Sequence, residues 1–322
     1  MPGNRYRPID LSSVKTYSIE QRPHKMGTGE LAGLPPAGAT AAELIESMPN
    51  LLGAREFHAV VRRIVEARQY DRPVVFATGA HVIKVGCSPI VVDLIRRGVI
   101  QAVACNGATA IHDVELATTG ATSEEVADTI KDGTFGMVRE TFDFFAAAGE
   151  SAAREDLGLG EAVGRLLVDR RARHVSHSIL AAACQAGIPV TVHVALGTDT
   201  VHMSGSADGA HIGRASLRDF RTVCSVVADL GARGDSKVGG VWLNVGSAVV
   251  MPEVFLKAVA VARNLGADLD CMTTANFDML RHYRPHANVV TRPVSAGRGH
   301  EVVGQHEILL PLLRQAIVDG LN

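Results

Sequence analysis

The sequence predicts an α/β protein with a doubly wound, mostly parallel sheet. Short apolar segments alternate with amphipathic helical patterns from residue 37 onward. Each apolar segment is bounded by glycine, proline or polar turn residues, which is typical of strands buried on both faces. Histidine, acidic and small residues follow several of these segments, and sheets of this class bind ligands at the carboxyl ends of their strands. We therefore expect helices on both faces of the sheet and a ligand site along one edge.

The first 38 residues are predicted to form an extended arm. They are rich in proline, glycine and charged residues, as in segments 22–25 and 33–36, and they show little periodicity. Residues 39–322 are predicted to form a single domain, because strand and helix patterns alternate along this whole stretch without a repeat or a low-complexity segment.

The strands and helices follow from hydrophobic period and from turn residues. Strands are predicted at 73–77, 101–105, 189–194, 240–245, 269–273 and 288–291. Helices are predicted at 55–68, 89–97, 139–148, 179–186, 216–230, 252–265 and 306–318. Thr122 and Glu125 have the spacing of a capping box, which predicts a further helix beginning at Ser123.

Composition narrows the class of protein. The chain is 47% hydrophobic and 20% charged with a net charge of −2, so it lacks the basic character of a nucleic-acid-binding protein. Five cysteines without a CxxC pair indicate reduced thiols. No window reaches the roughly 18 apolar residues of a membrane span, and the first residues lack the apolar core of a signal peptide. We expect a cytoplasmic protein that binds neither nucleic acid nor membrane.

The corner at residues 105–115 is the first candidate site. A buried strand ends there, the small residues Gly107 and Thr109 turn the chain, and His112, Asp113 and Glu115 follow. The free N–H groups of the new helix could hold an anion beside acid–base groups. His112 and Glu115 share a helix face because they are three residues apart. The alternative is a helix start that favours acids, with His112 in the core.

The second candidate site is the loop that follows strand 189–194. Asp199 and His202 lie in a long loop of small and polar residues, which could cover a ligand. His193, inside the strand, is more typical of a packed core residue, and His211 is the weaker candidate of the loop. The alternative is a flexible connection that happens to carry histidines.

The third candidate group is His300 and Glu301 together with His306 and Glu307. His306 and Glu307 begin the last helix, and they are interpreted either as catalytic groups or as a capped helix start. No HExxH or HxH pair occurs in the chain, so we predict no metal ligands. A metal held by side chains from several loops stays open as the minority alternative.

Four stretches, in their order, resemble a known enzyme family. They are 78–87 with 91–95; 105–113; 176–190 with 197–199; and 243–250 with 264–268. This order is similar to that of the deoxyhypusine synthase family, whose members use NAD to move an aminobutyl group from spermidine. In the corner, His112 and Asp113 stand where the family has Glu-Asp. The resemblance implies a Rossmann-like fold, bound NAD, and a homotetramer whose N-terminal arms reach neighbouring subunits.

The resemblance also implies which residues face the cofactor. By position these are Gly79, Gly107, Ala108, Thr109, Asp199 and Gly246.

The chain departs from the family at its catalytic residues. The family has a lysine near the last strand that forms an imine with the substrate, but this chain has no lysine after Lys257. Arg298 lies in the matching segment, and a guanidinium stays protonated, so it cannot serve as an amine nucleophile. The family's catalytic histidine aligns with segment 251–257, which contains none. Lys84 is a candidate replacement, although a solvated lysine is the plainer interpretation.

These observations predict an enzyme with diverged chemistry. It would act on a small, amine-containing molecule with NAD or a similar ligand at the strand ends, through His112, Asp113, Glu115, His202, His306 and Glu307. Transfer of an aminobutyl group through a lysine imine is not expected. The alternatives are a metal-dependent hydrolase or lyase on the same fold, and a binding protein that kept the scaffold without its chemistry.

Overall fold

A computed structural model of the protein describes residues 6–234 and 236–321. Residues 1–5 of the predicted arm, and residues 235 and 322 of the predicted domain, lie outside the described residues. Within the described part, one all-parallel, six-stranded sheet has the order β3-β2-β1-β4-β5-β6. The strands are β1 Val74–Thr78, β2 Ala102–Asn106, β3 Val190–His193, β4 Val241–Val245, β5 Thr273–Asp278 and β6 Gly299–Val303. The predicted fold class is confirmed.

The strand order reverses between β1 and β4, which creates a switch point at their carboxyl ends. Thr78, the last residue of β1, pairs with Cys105 of β2 on one side and with Val245 of β4 on the other. The three strands therefore end level with one another, and the loops that follow them meet at one edge.

Helices cover both faces of the sheet. They are α1 Ala41–Glu46, α2 Leu52–Gln69, α3 His81–Lys84, α4 Ser88–Arg96, α5 Gly107–Thr119, α6 Val126–Asp132, α7 Arg139–Glu155, α8 Leu159–Asp169, α9 Ile179–Gln185, α10 Gly209–Ala228, α11 Val250–Asn264, α12 Tyr283–Pro285 and α13 His306–Leu321. Alternate residues of β1 enter two cores: Val74 and Phe76 pack with α2, α4, α5, α8, α9 and α13, whereas Val75 and Ala77 pack with α10 and α11. This two-sided burial explains why the strands are uniformly apolar.

Two strand predictions were wrong. The run 269–273 is mostly a turn, and the strand begins at Thr273 and continues to Asp278. The run 288–291 lies in a π-helical segment, His286–Thr291, and the last strand is Gly299–Val303. Val289 is fully buried in this segment. A short apolar run has the same composition in a buried helix turn as in a buried strand, so its period could not separate the two.

The predicted helix start at Ser123 was also wrong. Helix α6 begins at Val126, and Glu125 caps it by accepting a hydrogen bond from the Ala127 N–H at 3.3 Å. Ser123 has a φ of +72°, in the left-handed region. The Thr122 hydroxyl contacts His112 and Glu115 instead of capping a helix.

The described part of the arm, residues 6–38, contains only short 3₁₀ turns, Ile19–Gln21 and Thr28–Glu30. Its apolar side chains are largely exposed, including Ile9 at 82% and Leu34 at 96%. The boundary at residue 38 stays a prediction. No helix in the described residues is long and apolar enough to cross a bilayer.

Candidate functional site

The β1–β4 switch point is built on two glycines. The Gly79 N–H donates to the Val245 carbonyl at 3.1 Å, and a Cβ on Gly79 would lie 2.1 Å from the Gly246 carbonyl oxygen. Gly246 has a φ of +63°, which favours glycine. The two strand ends therefore approach each other without side chains between them. Both glycines lie at the edge where cofactor contacts are predicted.

The His306 ring packs against Gly246, whereas the Glu307 side chain points to the surface. The His306 Nε2–H donates to the Phe277 carbonyl at 3.1 Å, and Nδ1 is buried without a partner among the described residues. The His306 ring lies 5.4 Å from the His81 ring. Burial, followed by the neighbouring His306, lowers the pKa of His81. The Glu307 side chain is exposed, so the structure separates this predicted pair.

A carboxylate of the chain itself lies beside Gly107, the first residue of α5. The Asn106 Oδ1 accepts hydrogen bonds from the Thr109 N–H at 2.9 Å and from its hydroxyl at 2.7 Å. A Cβ on Gly107 would lie 2.0 Å from Asp199 Oδ2. The predicted anion site at this turn is therefore corrected, because the Asp199 carboxylate fills the space beside Gly107 and would repel a second anion.

Asp199 and His202 are held together by the loop that carries them. The His202 Nδ1 accepts hydrogen bonds from the Gly197 N–H at 3.1 Å and the Asp199 N–H at 3.2 Å. Because Nδ1 accepts, the proton of the neutral ring is on Nε2. Burial raises the pKa of the Asp199 carboxyl group, which has no arginine or lysine partner among the described residues.

His112, Thr122 and Glu115 form a hydrogen-bonded chain. The Thr122 hydroxyl donates to Glu115 Oε2 at 2.5 Å and lies 2.6 Å from His112 Nδ1. A hydroxyl has one proton to donate, so Nδ1 must be the donor in the second contact. The other ring nitrogen, Nε2, then carries the lone pair of the neutral imidazole. Thr141 donates a further hydrogen bond to Glu115 Oε1 at 3.3 Å.

Three causes act on the pKa of His112. Burial lowers it most, the Glu115 carboxylate raises it, and the Lys84 ammonium lowers it, with a net lowering from 6.5. The side chain is 17% exposed, so this histidine is shielded from water on most sides. The imidazole is therefore neutral at pH 7 and able to accept a proton.

Asp113 lies on another side of α5, in the core. Its carboxylate accepts hydrogen bonds from the Ile179 N–H at 2.8 Å, the Leu180 N–H at 3.2 Å and the Ser178 hydroxyl at 2.5 Å, at the start of α9. Burial raises its pKa to about 6. Consecutive helical residues point about 100° apart, which separates Asp113 from His112. The predicted catalytic role of Asp113 is corrected to that of a buried helix cap.

Two cavities lie beside these groups. The larger, which we call the α5 cleft, has a volume of about 860 Å³ and is lined by the exposed face of α5 and by segments around it, including Lys84, Ala108, His112, Glu115 and Asp199. The smaller, which we call the loop pocket, has a volume of about 180 Å³ and is lined by Phe142, Phe145, Asp199, His202 and His211 among others. Asp199 borders both cavities.

Of the predicted site residues, the structure places His112, Glu115, Ala108 and Asp199 along one cleft. His202 faces the adjoining loop pocket, and Thr109 is buried under the corner. Thr122 was not among the predicted site residues, because its spacing to Glu125 favours a capping box. No group of three or more His, Cys, Asp or Glu side chains in the described residues is arranged to hold a metal ion.

No family model and no curated protein matches the chain. Solved structures do match it. A complex of AgrE with ornithine and NAD⁺ has a TM-score of 0.50 at 15% identity, over 82% of this chain and 33% of AgrE. An AgrE variant with bound L-arginine has a TM-score of 0.51 at 15% identity, over 84% and 34%. A putative deoxyhypusine synthase from Entamoeba histolytica has a TM-score of 0.48 at 11% identity, over 88% and 94%.

The predicted resemblance is confirmed as a likeness of fold. At 15% identity, the two AgrE matches show that the chain shares this α/β architecture. The chain spans about a third of the length of AgrE. The AgrE matches therefore describe the scaffold alone, and the chemistry rests on the residues of the α5 cleft.

Proposed function

We propose that this protein is an enzyme that removes or donates a proton on a small, amine-containing substrate in the α5 cleft, with NAD or a similar ligand at the strand ends. The observation that carries the proposal is the His112–Thr122–Glu115 chain inside the cleft. It supports a histidine that is oriented by one ring nitrogen and free at the other, as general acid–base catalysis requires.

The chemistry of the three side chains follows from their hydrogen bonds. His112 Nε2 takes the substrate proton, and the imidazolium that forms keeps its Nδ1–H on the Thr122 hydroxyl. That hydroxyl donates in turn to Glu115, so the carboxylate stabilises the new positive charge through one intervening group. Thr122 and Glu115 act through His112 and are positioning residues.

The strand ends offer a carboxylate, Asp199, for the ribose of a dinucleotide. In sheets of this class an acid near the first two strands accepts the ribose hydroxyls. Strand β2 ends in Asn106, whose side-chain oxygen is already used by Thr109. The carboxylate left for ribose is Asp199, and Gly79 with Gly246 keeps the switch point free of side chains. AgrE, which shares the fold, binds ornithine and NAD⁺ together. When bound, NAD supplies a hydride acceptor.

One end of the α5 cleft favours a cation. Glu124 and Asp199 both line the cleft. The Glu124 carboxylate accepts a hydrogen bond from the Gly136 N–H at 2.8 Å, and Gly136 packs against Thr200. Because Thr200 directly follows Asp199, the two carboxylates lie at the same end of the cleft. An ammonium group here would be about 10 Å or less from His112, given four or five residues of helix between Gly107 and that histidine. This placement supports an amine-containing substrate.

We further propose a homotetramer in the cytoplasm. The exposed apolar side chains of the arm support contact with a neighbouring subunit, and the resemblance to the deoxyhypusine synthase family implies four subunits. The cysteines are free and partly or fully buried, which supports a reducing compartment.

Calorimetry with NAD tests the cofactor, and turnover tests the chemistry. We expect the wild-type protein to bind NAD and the Asp199→Asn variant to bind it about tenfold more weakly. The matched control is Asp128→Asn, an exposed carboxylate on α6. Appearance of reduced nicotinamide would then be screened with ornithine, L-arginine and spermidine. No heat of binding at millimolar NAD would overturn the cofactor, and normal turnover by His112→Asn would overturn the acid–base role.

A further inference from the structure

The α5 cleft has a basic end that the proposed function does not use. Arg170, Arg171 and Arg173 line it together, in the turn that follows α8. Arg171 has a φ of +52°, so the chain turns sharply between the first and the last of these arginines. The turn brings three guanidinium-bearing residues to one cavity from a stretch of only four positions.

The position of this turn is fixed against the far end of α5. The His174 N–H donates to the Ala117 carbonyl at 2.8 Å, and the His174 ring lies 2.8 Å from where a Cβ on Gly120 would be. Gly120 ends α5, whereas Asp199 lies at its beginning. The cleft therefore runs along the helix, with acids at one end, His112 between, and arginines at the other. Seven residues of helix, about 10 Å, separate His112 from Thr119, the last residue of α5.

These arginines have no acid partner in the described residues. The Arg170 guanidinium lies 5.3 Å from the centre of the Phe144 ring, and neither Arg171 nor Arg173 forms an ion pair. Other exposed arginines of the neighbouring helices do pair: Arg154 with Glu155 at 2.7 Å, and Arg165 with Glu161. Three cations without an acid partner among the described residues thus border the same cavity.

We propose that the arginine end of the α5 cleft binds an oxyanion, namely a phosphate or carboxylate group. Guanidinium groups form paired, charge-assisted hydrogen bonds with both anions, and Arg170 is already oriented by the Phe144 ring. Resting on the proposed function, the inference extends to the substrate: its anionic group is about 10 Å from the atom that exchanges a proton with His112. The substrate class is then an elongated molecule with a cationic amine and a terminal anion.

Binding of inorganic phosphate and of succinate, measured by calorimetry, tests the site. We expect the wild-type protein to bind at least one of them, and the Arg171→Gln/Arg173→Gln variant to bind it about tenfold more weakly. Arg170 is retained because it packs on Phe144. The matched control is Arg154→Gln/Arg165→Gln, which removes the same charge outside the cleft. Binding of phosphate alone indicates a phosphorylated substrate, and binding of succinate alone indicates a carboxylate.

The outcomes separate the inference from the proposed function. Oxyanion binding that is absent, or equal in the two double variants, overturns the oxyanion site whatever NAD does. A parallel loss of NAD affinity in Arg171→Gln/Arg173→Gln overturns its assignment to the substrate, because the arginines would then hold the cofactor's phosphates. Wild-type protein that binds phosphate through these arginines but never binds NAD overturns the proposed cofactor and leaves the oxyanion site standing.

Discussion

His112 and Asp113 are consecutive residues of α5, yet one lines a cleft and the other lies in the core. The His112 side chain is 17% exposed and reaches Glu115 through the Thr122 hydroxyl. Asp113 is fully buried and holds the first N–H groups of α9. Both side chains titrate, and both have shifted pKa values. A cluster of ionisable residues thus divides by helical phase, and proximity in sequence does not make a catalytic pair.

The largest effect is expected from removing the buried member of the pair. Asp113→Ala leaves the Ile179 and Leu180 N–H groups and the Ser178 hydroxyl without their acceptor. We expect a loss of about 3 kcal/mol in the free energy of unfolding, because buried donors would be unsatisfied at a helix start. Urea unfolding measures it. A loss below about 0.5 kcal/mol, the usual range of surface substitutions, would contradict the capping role.

His112, the member that lines the cleft, should affect turnover and leave stability nearly unchanged. We expect His112→Asn to lower the rate of NAD reduction about 100-fold, the ordinary contribution of a general acid or base. Thr122→Val should lower it about tenfold, because it breaks the link to Glu115, and Thr122→Ser should restore it. His211→Asn, in the loop pocket, is the control. Equal rates for Thr122→Val and the wild type would remove Thr122 from the mechanism.

The fold was more predictable than the site, for a physical reason. Strands such as β1 and β2 are buried on both faces and bounded by turn residues, so their composition identifies them. The run 288–291 failed because a buried π-helical segment is equally apolar. At the site, the helical spacing of His112 and Glu115 predicted that they share a face. The partner between them, Thr122, comes from a loop whose path depends on tertiary packing.

The arginine end of the α5 cleft could not be predicted as a site from the sequence either. The run from Arg170 to Arg173 is visible in the sequence as a charge cluster. A charge cluster is usually a solvated surface, however, and only the contact of His174 with the end of α5 reveals that this one borders a cavity. Likewise, the resemblance places Asp199 and Gly107 at one cofactor site, but nothing in the sequence indicates that the Asp199 carboxylate would fill the corner expected to hold an anion.

Glycine-to-alanine substitutions can compare the crowded start of α5 with the uncrowded interior of α10. In Gly107→Ala the added Cβ would lie 2.0 Å from Asp199 Oδ2, so the Asp199 loop must move. We expect a loss of about 1 kcal/mol in the free energy of unfolding, together with weaker NAD binding. In Gly213→Ala, inside α10, the new Cβ meets nothing within 4 Å. This control should gain about 0.5 kcal/mol, because alanine favours helix. Equal effects at the two positions would contradict the close contact.

The smallest effect concerns the titration of His112 itself. The pKa of His112 is lowered by burial and by the Lys84 ammonium, and raised by the Glu115 carboxylate. Lys84→Gln should therefore raise this pKa, and Glu115→Gln should lower it. Turnover depends on the neutral imidazole, so the acidic limb of the pH–rate profile should lie below pH 6.5 in the wild type and follow the same shifts. Histidine NMR titration measures the pKa directly. Shifts of the same sign in both variants would mean that burial alone, and not the charges of Lys84 and Glu115, sets the pKa of His112.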